Sequence, residues 1–308
     1  MKIAGTNLAS LGQEQLEAWV TATMVHCQSG QLPSYIPRLA EAERTDFALQ
    51  ILGIGGQVYS VGNGAKSFPL MSTIKPFVLL YLLCKFGTGA VFDRVGCEAS
   101  EQPFNALSQL QLDGGRPRNP MINSGAIALA SMIPGQGGWA RCETLCSWLN
   151  QQGNCQLFLD ELMLTSVYSA PNPYNQAIAF ELASSGYVED AQSALDTYNH
   201  ICCLSGTIGD LARLGMLLVQ PPNPAWSEYT RIVKAIMTTC GLYQAASQFA
   251  VQVGLPTKSG VSGAILSVIP RQGAIACYSP PLDPNGNSVV GLLILEQIAQ
   301  ALRLSVFD

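Results

Sequence analysis

The two ends of the chain carry strand-like segments, and their placement constrains the fold more than any other feature of the sequence. The strand-like segments Phe-Ala-Leu-Gln-Ile-Leu at 47–52 and Gln-Val-Tyr-Ser at 57–60 lie on either side of a glycine-rich stretch, which predicts a β-hairpin. Residues 264–269 and 274–278 flank a proline-containing turn and predict a second hairpin, and residues 288–293 predict a further strand. One antiparallel sheet would therefore combine both ends of the chain.

Helical patterns fill much of the chain between the two hairpins. Residues 90–125 are rich in glycine, proline and asparagine, and they predict loops. From about residue 126 to 250 the apolar positions recur mostly at helical spacing. The predicted helices in this region are 126–132, 142–151, 175–184, 191–204 and 208–219.

This order of elements predicts an α+β fold in one domain over residues 1–308. We expect a sheet subdomain at approximately 30–70 and 250–308, flanking helices that include a short one ending near residue 302, and an inserted helical subdomain at approximately 71–249. A cleft between the sheet and the inserted helices is the natural place for a small-molecule site.

Charged side chains are scarce in this sequence. They make up 12% of the 308 residues, whereas 48% are hydrophobic, and ordinary globular proteins carry roughly 25% charged residues. Much of the surface must therefore be buried or covered by other subunits, which predicts a homo-oligomer such as a dimer or tetramer. The net charge of -5 provides no basic excess for phosphates, so we expect no nucleic-acid partner.

The sequence predicts a cytoplasmic protein that uses no metal or other cofactor. The N-terminal residues lack the apolar stretch of an export signal, and the longest apolar run, 76–84, is shorter than the ~20 residues of a membrane span. The ten cysteines form no C-x-x-C pair and are typical of small buried side chains in a reducing compartment. We find no acidic or cysteine neighbours at ligand spacing around the two histidines, His26 and His200, so we expect no metal site. A Ser-His-Asp triad is also not expected, because one of these two histidines would have to be its base.

Ser72 and Lys75 form an S-x-x-K motif at the start of a predicted buried helix over 72–86. Pro76 is tolerated only in the first turn of a helix, which places the helix start near Ser72. Residues three apart lie on one helix face, so the amine of Lys75 can reach the Ser72 hydroxyl. Burial lowers the pKa of a lysine, and a neutral lysine can serve as the base that a serine nucleophile needs.

A second motif, Lys258-Ser259-Gly260, precedes the apolar strand at 264–269. This arrangement is typical of the K-[ST]-G element that lines the site of S-x-x-K enzymes. The backbone N–H of Val261 would join that of Ser72 in an oxyanion hole. The two motifs together favour a serine acyl-transfer site over a chance match.

Longer segments make the resemblance more specific. The sequence resembles the serine-dependent glutaminases, which share the β-lactamase/transpeptidase-like fold, over roughly nine-tenths of the chain. The most specific matches are Asn-Pro-Met-Ile-Asn-Ser-Gly-Ala-Ile at 119–127 and Val-Gly-Leu-Pro-Thr-Lys-Ser-Gly-Val at 253–261. Other matching stretches, in family order, are 35–40, 56–60, 72–75, 103–105, 115–118, 175–179 and 239–243.

The resemblance implies hydrolysis of L-glutamine to L-glutamate and ammonia through an acyl-enzyme. Ser72 would attack the side-chain amide carbon, Lys75 would act as general base, and Tyr243 would relay the proton. The backbone N–H groups of Ser72 and Val261 would hold the oxyanion. The side chains that would hold the amino-acid end of glutamine match Tyr35, Asn123, Asn175 and Tyr198.

One part of the family pattern is missing from this sequence. Glutaminases that resemble this chain carry a glutamate before the segment that starts at Asn175, where it faces the substrate's α-ammonium. Counting back without a gap puts Tyr168 in its place, and matching the preceding Tyr-Ser pattern puts Ala170 there. Neither residue is acidic, which predicts a weak or altered preference for glutamine; Asp160 or Glu161 could act as substitutes.

Two other functions are compatible with the motifs. A different S-x-x-K hydrolase, such as a β-lactamase-like or esterase enzyme, would carry the same Ser72 and Lys75. A binding protein on the same scaffold could sense an amino acid without turnover, and the altered segment 167–176 favours this alternative. Ser72, Lys75, Tyr243 and Lys258, which are all present, favour an enzyme.

Overall fold

A computed structural model of the protein describes residues 7–308. Residues 1–6, on which part of the prediction about an export signal rests, lie outside the described residues. The chain contains a five-stranded and a three-stranded sheet surrounded by helices. The strands are β1 (Ala48–Gly53), β2 (Val58–Gly62), β3 (Phe68–Pro69), β4 (Phe158–Leu159), β5 (Leu204–Gly206), β6 (Thr257–Ser259), β7 (Ala264–Ile269) and β8 (Gly273–Tyr278).

Thirteen α-helices are present among residues 7–308, and most of them lie between β3 and β6. Their bounds are α1 Gln13–Met24, α2 Pro37–Ala40, α3 Lys75–Phe92, α4 Leu107–Leu112, α5 Asn123–Ala130, α6 Gly137–Gly153, α7 Glu161–Ser169, α8 Pro173–Ser184, α9 Ala191–Cys202, α10 Ile208–Val219, α11 Ser227–Cys240, α12 Ala246–Gln252 and α13 Val289–Leu302. Short 3₁₀ turns occupy Leu8–Ser10, Val25–Gln28, Met71–Ile74, Pro224–Trp226 and Tyr243–Ala245.

The five-stranded sheet joins both ends of the chain, in the order β2-β1-β8-β7-β6 with antiparallel neighbours. Both predicted hairpins are present, as β1–β2 and β7–β8. The small sheet, β3-β5-β4, lies among the helices and was not predicted, because its strands are only two or three residues long.

Period-two alternation in the central strands divides the core into two parts. In β7, Leu266 and Val268 belong to the cluster on the α10 side, whereas Ile265 and Ile269 belong to the cluster that contains α1, α12 and α13. Successive side chains of a strand point to opposite faces. Since both faces are covered by helices, every position of β7 and β8 is buried and the strands read as continuous apolar runs.

The predicted strand at 288–293 is wrong, because these residues begin helix α13. The Ser288 side chain accepts a hydrogen bond from the Gly291 N–H and caps the helix. The fully buried residues Val290, Ile294 and Ile298 recur every four positions and pack on the sheet side. A short apolar run does not distinguish a strand from a buried helix, and here the cap and the helical spacing decide. The predicted short helix near residue 302 is the end of this same element.

Helix α3 and its leading turn, Met71–Phe92, are long and apolar enough to cross a membrane by composition alone. Most of this segment is buried within the protein, and its side chains from Phe77 to Leu83 belong to the main hydrophobic cluster. The backbone leaves the helical conformation at Gly87, one residue after the predicted end of the helix, where φ is 77°. We therefore interpret the segment as a core helix.

Close packing of α10 on the sheet gives the first prediction. An added Cβ at Gly215 would lie 2.6 Å from the Ala274 Cβ and 2.8 Å from a Leu266 methyl. At Gly209, on the same helix, it would meet only the flexible Gln50 and Arg213 side-chain tips and the Thr207 hydroxyl, at 3.0 Å or more. Gly215→Ala should lower the free energy of unfolding by about 1–3 kcal/mol through overpacking.

Gly209→Ala is the matched control for that variant and should raise the free energy of unfolding by about 0.4–1 kcal/mol, the usual gain when alanine replaces glycine in a helix without strain. Urea denaturation followed by circular dichroism measures both variants. Equal effects of the two substitutions would contradict the close approach of α10 to the sheet.

Candidate active site

One cavity of about 240 Å³ collects most of the predicted site residues. Its walls come from the Met71–Ile74 turn, the helices α5, α7, α8 and α9, and the segment after β6. Lys75, Tyr243 and Lys258 do not line this cavity and are buried in the surrounding protein. The predicted residues that line it are Tyr35, Ser72, Asn123, Tyr168, Asn175, Tyr198 and Val261.

Ser72 sits in a strained turn immediately before α3. Met71, which precedes it, has a φ of 47°, in the left-handed region that side chains rarely adopt. Such strain costs on the order of 1–3 kcal/mol and persists where the surrounding packing enforces it. Ser72 is 7% exposed and lines the cavity, so its hydroxyl meets the site rather than bulk solvent.

The segment after β6 approaches the backbone of Ser72 very closely. An added Cβ at Gly260 would lie 2.7 Å from the Leu70 carbonyl oxygen and 3.3 Å from the Ser72 nitrogen. Only glycine fits this approach without displacement. Val261, the next residue, therefore lies beside Ser72 and also lines the cavity.

The amine of Lys75 is buried and has no carboxylate partner in the part of the chain that the structure describes. Its side chain is 2% exposed, and Nζ donates hydrogen bonds to the Met121 carbonyl oxygen (3.1 Å) and to Asn123 Oδ1 (2.8 Å). Burial lowers the pKa of Lys75 to about 8. Among the hydrogen bonds of residues 7–308 there is none between Lys75 and Ser72.

Asn123, at the start of α5, connects three of the predicted residues. Its Oδ1 accepts hydrogen bonds from Lys75 Nζ and from the Tyr198 hydroxyl (3.0 Å), and its Nδ2 donates to Asn175 Oδ1 (2.8 Å). Lys75 Nζ also lies 5.7 Å from the centre of the Tyr198 ring. Helices α3, α5, α8 and α9 thus meet at one amide group.

Tyr243 is a second strained residue, with a φ of 56°. Burial raises its pKa to about 12, although the nearby hydroxyls of Ser72 and Ser259 oppose that rise. Its own hydroxyl is buried and has no well-formed hydrogen bond within residues 7–308. A buried hydroxyl without a fixed partner beside Ser72 is available to bond with a reacting group.

Lys258 lies beneath the ring of Tyr243. Its Nζ is 4.3 Å from the ring centre and donates hydrogen bonds to the carbonyl oxygens of Gly241 (2.9 Å) and Ser259 (2.7 Å). Burial, followed by the nearby charge of Lys75, lowers the pKa of Lys258 well below its usual range. Lys258 thus links the segment before Tyr243 to strand β6.

The sequence analysis missed a turn at 283–287 that packs on this group. Ser259 Oγ donates a 2.6 Å hydrogen bond to Asn287 Oδ1, and Asn287 is fully buried. Gly286, with a φ of 90°, lies against Tyr243 and Val261. The Asp-Pro-Asn-Gly-Asn sequence of this segment signals a turn, but nothing in it indicates what the turn packs against.

Tyr168 and Ala170, the two positions considered for the missing glutamate, both line the cavity. No aspartate or glutamate is among the described lining residues. Asp160 caps α7 by accepting a hydrogen bond from the Met163 N–H, and neither it nor Glu161 lines the cavity. The described cavity wall therefore has no acidic side chain, either at the two positions before Asn175 or elsewhere.

The Tyr168 hydroxyl donates a hydrogen bond to Asp196 and lies 3.3 Å from Nδ1 of His200. The statement that His200 has no acidic neighbour at ligand spacing is wrong, because Asp196 precedes it by one helical turn and lies 3.5 Å away. The cavity residues of α9 that sequence reasoning missed share the face of Tyr198, at roughly helical spacing. They are Gln192, Leu195, Asn199 and Cys202.

Comparison with known proteins gives consistent results. The family profile described as Glutaminase matches residues 30–307. A glutaminase from Synechocystis is 45% identical, with 97% of this chain and 92% of the relative aligned. A glutaminase from Alkaliphilus metalliredigens is 34% identical over 96% of this chain and 99% of its own length.

A solved structure of a Bacillus subtilis glutaminase, in covalent complex with 5-oxo-L-norleucine, superimposes with a TM-score of 0.84. It is 28% identical and covers 96% of this chain and 99% of its own. The solved bacterial glutaminases have the β-lactamase-like fold, so the predicted α+β fold class is confirmed. The match of the profile, the relatives and the fold over nearly the full length shows that this chain belongs to the glutaminase family.

Proposed function

We propose that this glutaminase hydrolyses L-glutamine to L-glutamate and ammonia through a glutamyl ester on Ser72. The observation that carries the proposal is the position of Ser72, nearly buried and directly after the strained residue Met71, on a cavity wall that Val261 also lines and close to the buried Lys75. The covalent complex that a Bacillus subtilis glutaminase forms with 5-oxo-L-norleucine supports a covalent route.

The first half of the reaction forms the ester. Ser72 Oγ bonds to the side-chain amide carbon while its proton passes, through the Tyr243 hydroxyl, to the Lys75 amine. The carbon–nitrogen bond then breaks, and the proton returns to the leaving nitrogen, which departs as ammonia. In the second half, water attacks the ester carbon and gives a proton to the Lys75 amine. The bond between that carbon and Ser72 Oγ then breaks, the proton returns to Oγ, and glutamate is released.

The hydrogen bonds of Lys75 suit it to act as the base. A neutral amine has two N–H groups and one lone pair, and the two bonds to Met121 and Asn123 use both N–H groups. The lone pair therefore remains available to accept a proton. Since the pKa of Lys75 is lowered to about 8, a useful fraction of the amine is neutral near physiological pH.

Two backbone N–H groups would stabilise the charge that develops on the amide oxygen. The close approach of Gly260 to the Ser72 nitrogen, together with the presence of both Ser72 and Val261 on the cavity wall, supports this pair of donors. Preorganised donors of this kind contribute roughly 2.7–4 kcal/mol each to the stabilisation of a transition state.

Neutral polar groups would hold the amino-acid end of the substrate. Asn175 uses its Oδ1 to accept from Asn123, which leaves its amide N–H groups free to donate to a carboxylate. The Tyr35 hydroxyl is a further candidate donor on the same wall, whereas the Tyr198 hydroxyl donates to Asn123 and can only accept from the substrate. Because no carboxylate faces this end of the cavity, we propose that discrimination in favour of the substrate's α-ammonium is weak.

A cytoplasmic location and self-association belong to the same proposal. Leu112 and Phe180 are large, exposed apolar residues on the neighbouring helices α4 and α8, and burial in a subunit contact would remove them from water. Light scattering distinguishes a dimer or tetramer from a monomer, and a monomer at high concentration would exclude this part of the proposal.

Ser72→Ala should abolish ammonia release from L-glutamine, because the ester then has no oxygen to form on. Coupled detection of ammonia measures the rate, and Ser205→Ala is the matched control. Ser205 is also buried, its hydroxyl has no hydrogen-bond partner within residues 7–308, and it does not line the cavity.

The same preparations should be assayed with a chromogenic β-lactam and a simple ester. Hydrolysis of these compounds without ammonia release from L-glutamine would identify a different serine hydrolase. Retained release of ammonia by Ser72→Ala would remove Ser72 as the nucleophile.

The pH dependence of kcat/KM should follow the protonation of Lys75. The amine is inactive when protonated and active when neutral, so the rate constant should rise with pH through an apparent pKa of about 8. Lys75→Met should lose at least about 100-fold in kcat/KM, which is typical for removal of a general base.

Lys85→Met, an exposed position on the same helix, controls for the substitution and should keep both the rate and the profile. A rising limb that persists in Lys75→Met would assign the titration to another group.

Preference for the amino group can be measured with L-glutamine and glutaramate, its analogue without the α-amino group. We expect the ratio of their kcat/KM values to be no more than about tenfold. Ala170→Glu should raise the ratio by roughly 10–150-fold, because hydrogen bonds between charged groups contribute about 1.5–3 kcal/mol. Ala170→Gln is the neutral control, and a ratio in the hundreds for the unaltered protein would contradict weak discrimination.

A further inference from the structure

A cavity that accepts an amino acid must provide for a cationic amino group. An ammonium that leaves water needs hydrogen-bond acceptors or electron-rich surfaces, since its burial without them is costly. The described lining of this cavity contains amides, hydroxyls and apolar side chains but no carboxylate. The group that attracts the ammonium must therefore be sought among neutral side chains and their immediate partners.

Tyr168 is the lining residue whose side chain is connected to a carboxylate. Its hydroxyl donates a hydrogen bond to the carboxylate of Asp196. Within residues 7–308, no other side chain of the cavity lining forms a hydrogen bond with a carboxylate. Tyr168 lies near the end of α7 and is 44% exposed, so a ligand in the cavity mouth can reach it.

Asp196 is itself held firmly in place. Its second carboxylate oxygen, Oδ2, accepts a 2.9 Å hydrogen bond from the Gly138 N–H at the start of α6. An added Cβ at Gly138 would lie 2.4 Å from that oxygen and 2.5 Å from Nδ1 of His200. A residue without a side chain is required for three helices, α6, α7 and α9, to meet at this carboxylate.

The protonation of the neighbouring groups follows from their partners. His200 Nδ1 lies 2.8 Å from the Asp196 carbonyl oxygen, which can only accept, so Nδ1 carries a proton and donates it there. The Tyr168 hydroxyl donates its own proton to the Asp196 carboxylate. Burial and this bond to Asp196 both raise the pKa of Tyr168, so the phenol keeps its proton.

Because the Tyr168 hydroxyl already donates its proton to Asp196, it can only accept hydrogen bonds from a ligand. Its remaining oxygen lone pair accepts hydrogen bonds, and the face of its ring attracts cations. The Asp196 charge behind the oxygen strengthens both effects because it increases the electron density on the phenol. The result is a neutral group that carries part of the attraction of a carboxylate.

We propose that Tyr168, oriented by Asp196, is the specificity-determining residue for the α-ammonium of the substrate. This inference rests on the proposed glutaminase reaction and adds the group that recognises the amino end. It accounts for recognition without a carboxylate on the cavity wall. Tyr168 takes no part in the chemistry at Ser72, so its removal should affect only substrates that carry the ammonium.

The test compares kcat/KM for L-glutamine with that for glutaramate in three variants. Tyr168→Phe keeps the ring but loses the oxygen and should lower the ratio about fivefold, as expected for one hydrogen bond. Asp196→Asn keeps an acceptor for the phenol without the charge and should lower the ratio about two- to threefold. Values for glutaramate alone should change by less than about twofold.

Asp190→Asn is the matched control on the same helix. Asp190 caps α9 by accepting a hydrogen bond from the Gln192 backbone N–H, asparagine caps equally well, and Asp190 does not line the cavity. The ratio should therefore stay as in the unaltered protein. An equal loss for both substrates in Tyr168→Phe would indicate a structural role and overturn the proposal, as would an unchanged ratio.

Binding to the Ser72→Ala protein separates this inference from the proposed reaction. Calorimetric affinities of L-glutamine and glutaramate, with and without the added Tyr168→Phe change, give the same ratio without turnover. Absence of Ser72-dependent ammonia release would refute the proposed reaction and leave the binding ratio as the test of Tyr168. A binding ratio that does not depend on Tyr168 would refute the recognition role even if glutamine is hydrolysed.

Discussion

The arrangement of the site depends on burying the amine of Lys75 without an acidic partner. A buried ammonium that lacks a counter-charge is unfavourable, and the protein responds by lowering the pKa of Lys75 to about 8. Only neutral oxygens, the Met121 carbonyl and Asn123 Oδ1, accept its hydrogen bonds. This choice keeps the amine close to the neutral form that the proposed reaction requires.

The fold supplies the rigidity that such a buried group needs. Asn123 ties Lys75 to Tyr198 and Asn175, so that four helices share one hydrogen-bonded centre. On the opposite side, Lys258 and Asn287 fix strand β6 and the segment that carries Tyr243. The two strained residues of the site, Met71 and Tyr243, lie between these two supports. Strain at both positions is tolerated because the surrounding packing leaves no alternative.

Local patterns predicted both hairpins and the helices α3, α5, α6, α8, α9 and α10. They did not predict α2, α4, α7, α11 and α12 individually, and the prediction of loops over 90–125 is wrong at α4. The hairpins and the helix that breaks at Gly87 follow from turn residues and apolar runs that act within a few positions. The apolar run at 288–293 is ambiguous alone, and its helical form depends on burial against the sheet. The motifs indicated seven residues that line the cavity and three that lie buried around it, but Asn287 and Asp196 act through partners 28 residues away. No short pattern contains such a pairing.

The neutral cavity wall and the lowered pKa values of the two lysines are parts of one electrostatic design. A carboxylate on the wall would stabilise the charged forms of Lys75 and Lys258, and would therefore raise both pKa values. Without it, burial dominates and both lysines are displaced toward neutrality. Asp196 lies outside the wall, and its carboxylate accepts hydrogen bonds from the Gly138 N–H and the Tyr168 hydroxyl. These two donors weaken the effect of its negative charge in the cavity. A neutral phenol can therefore attract a substrate cation with little effect on the pKa of Lys75. A carboxylate that faces the cavity would raise that pKa directly.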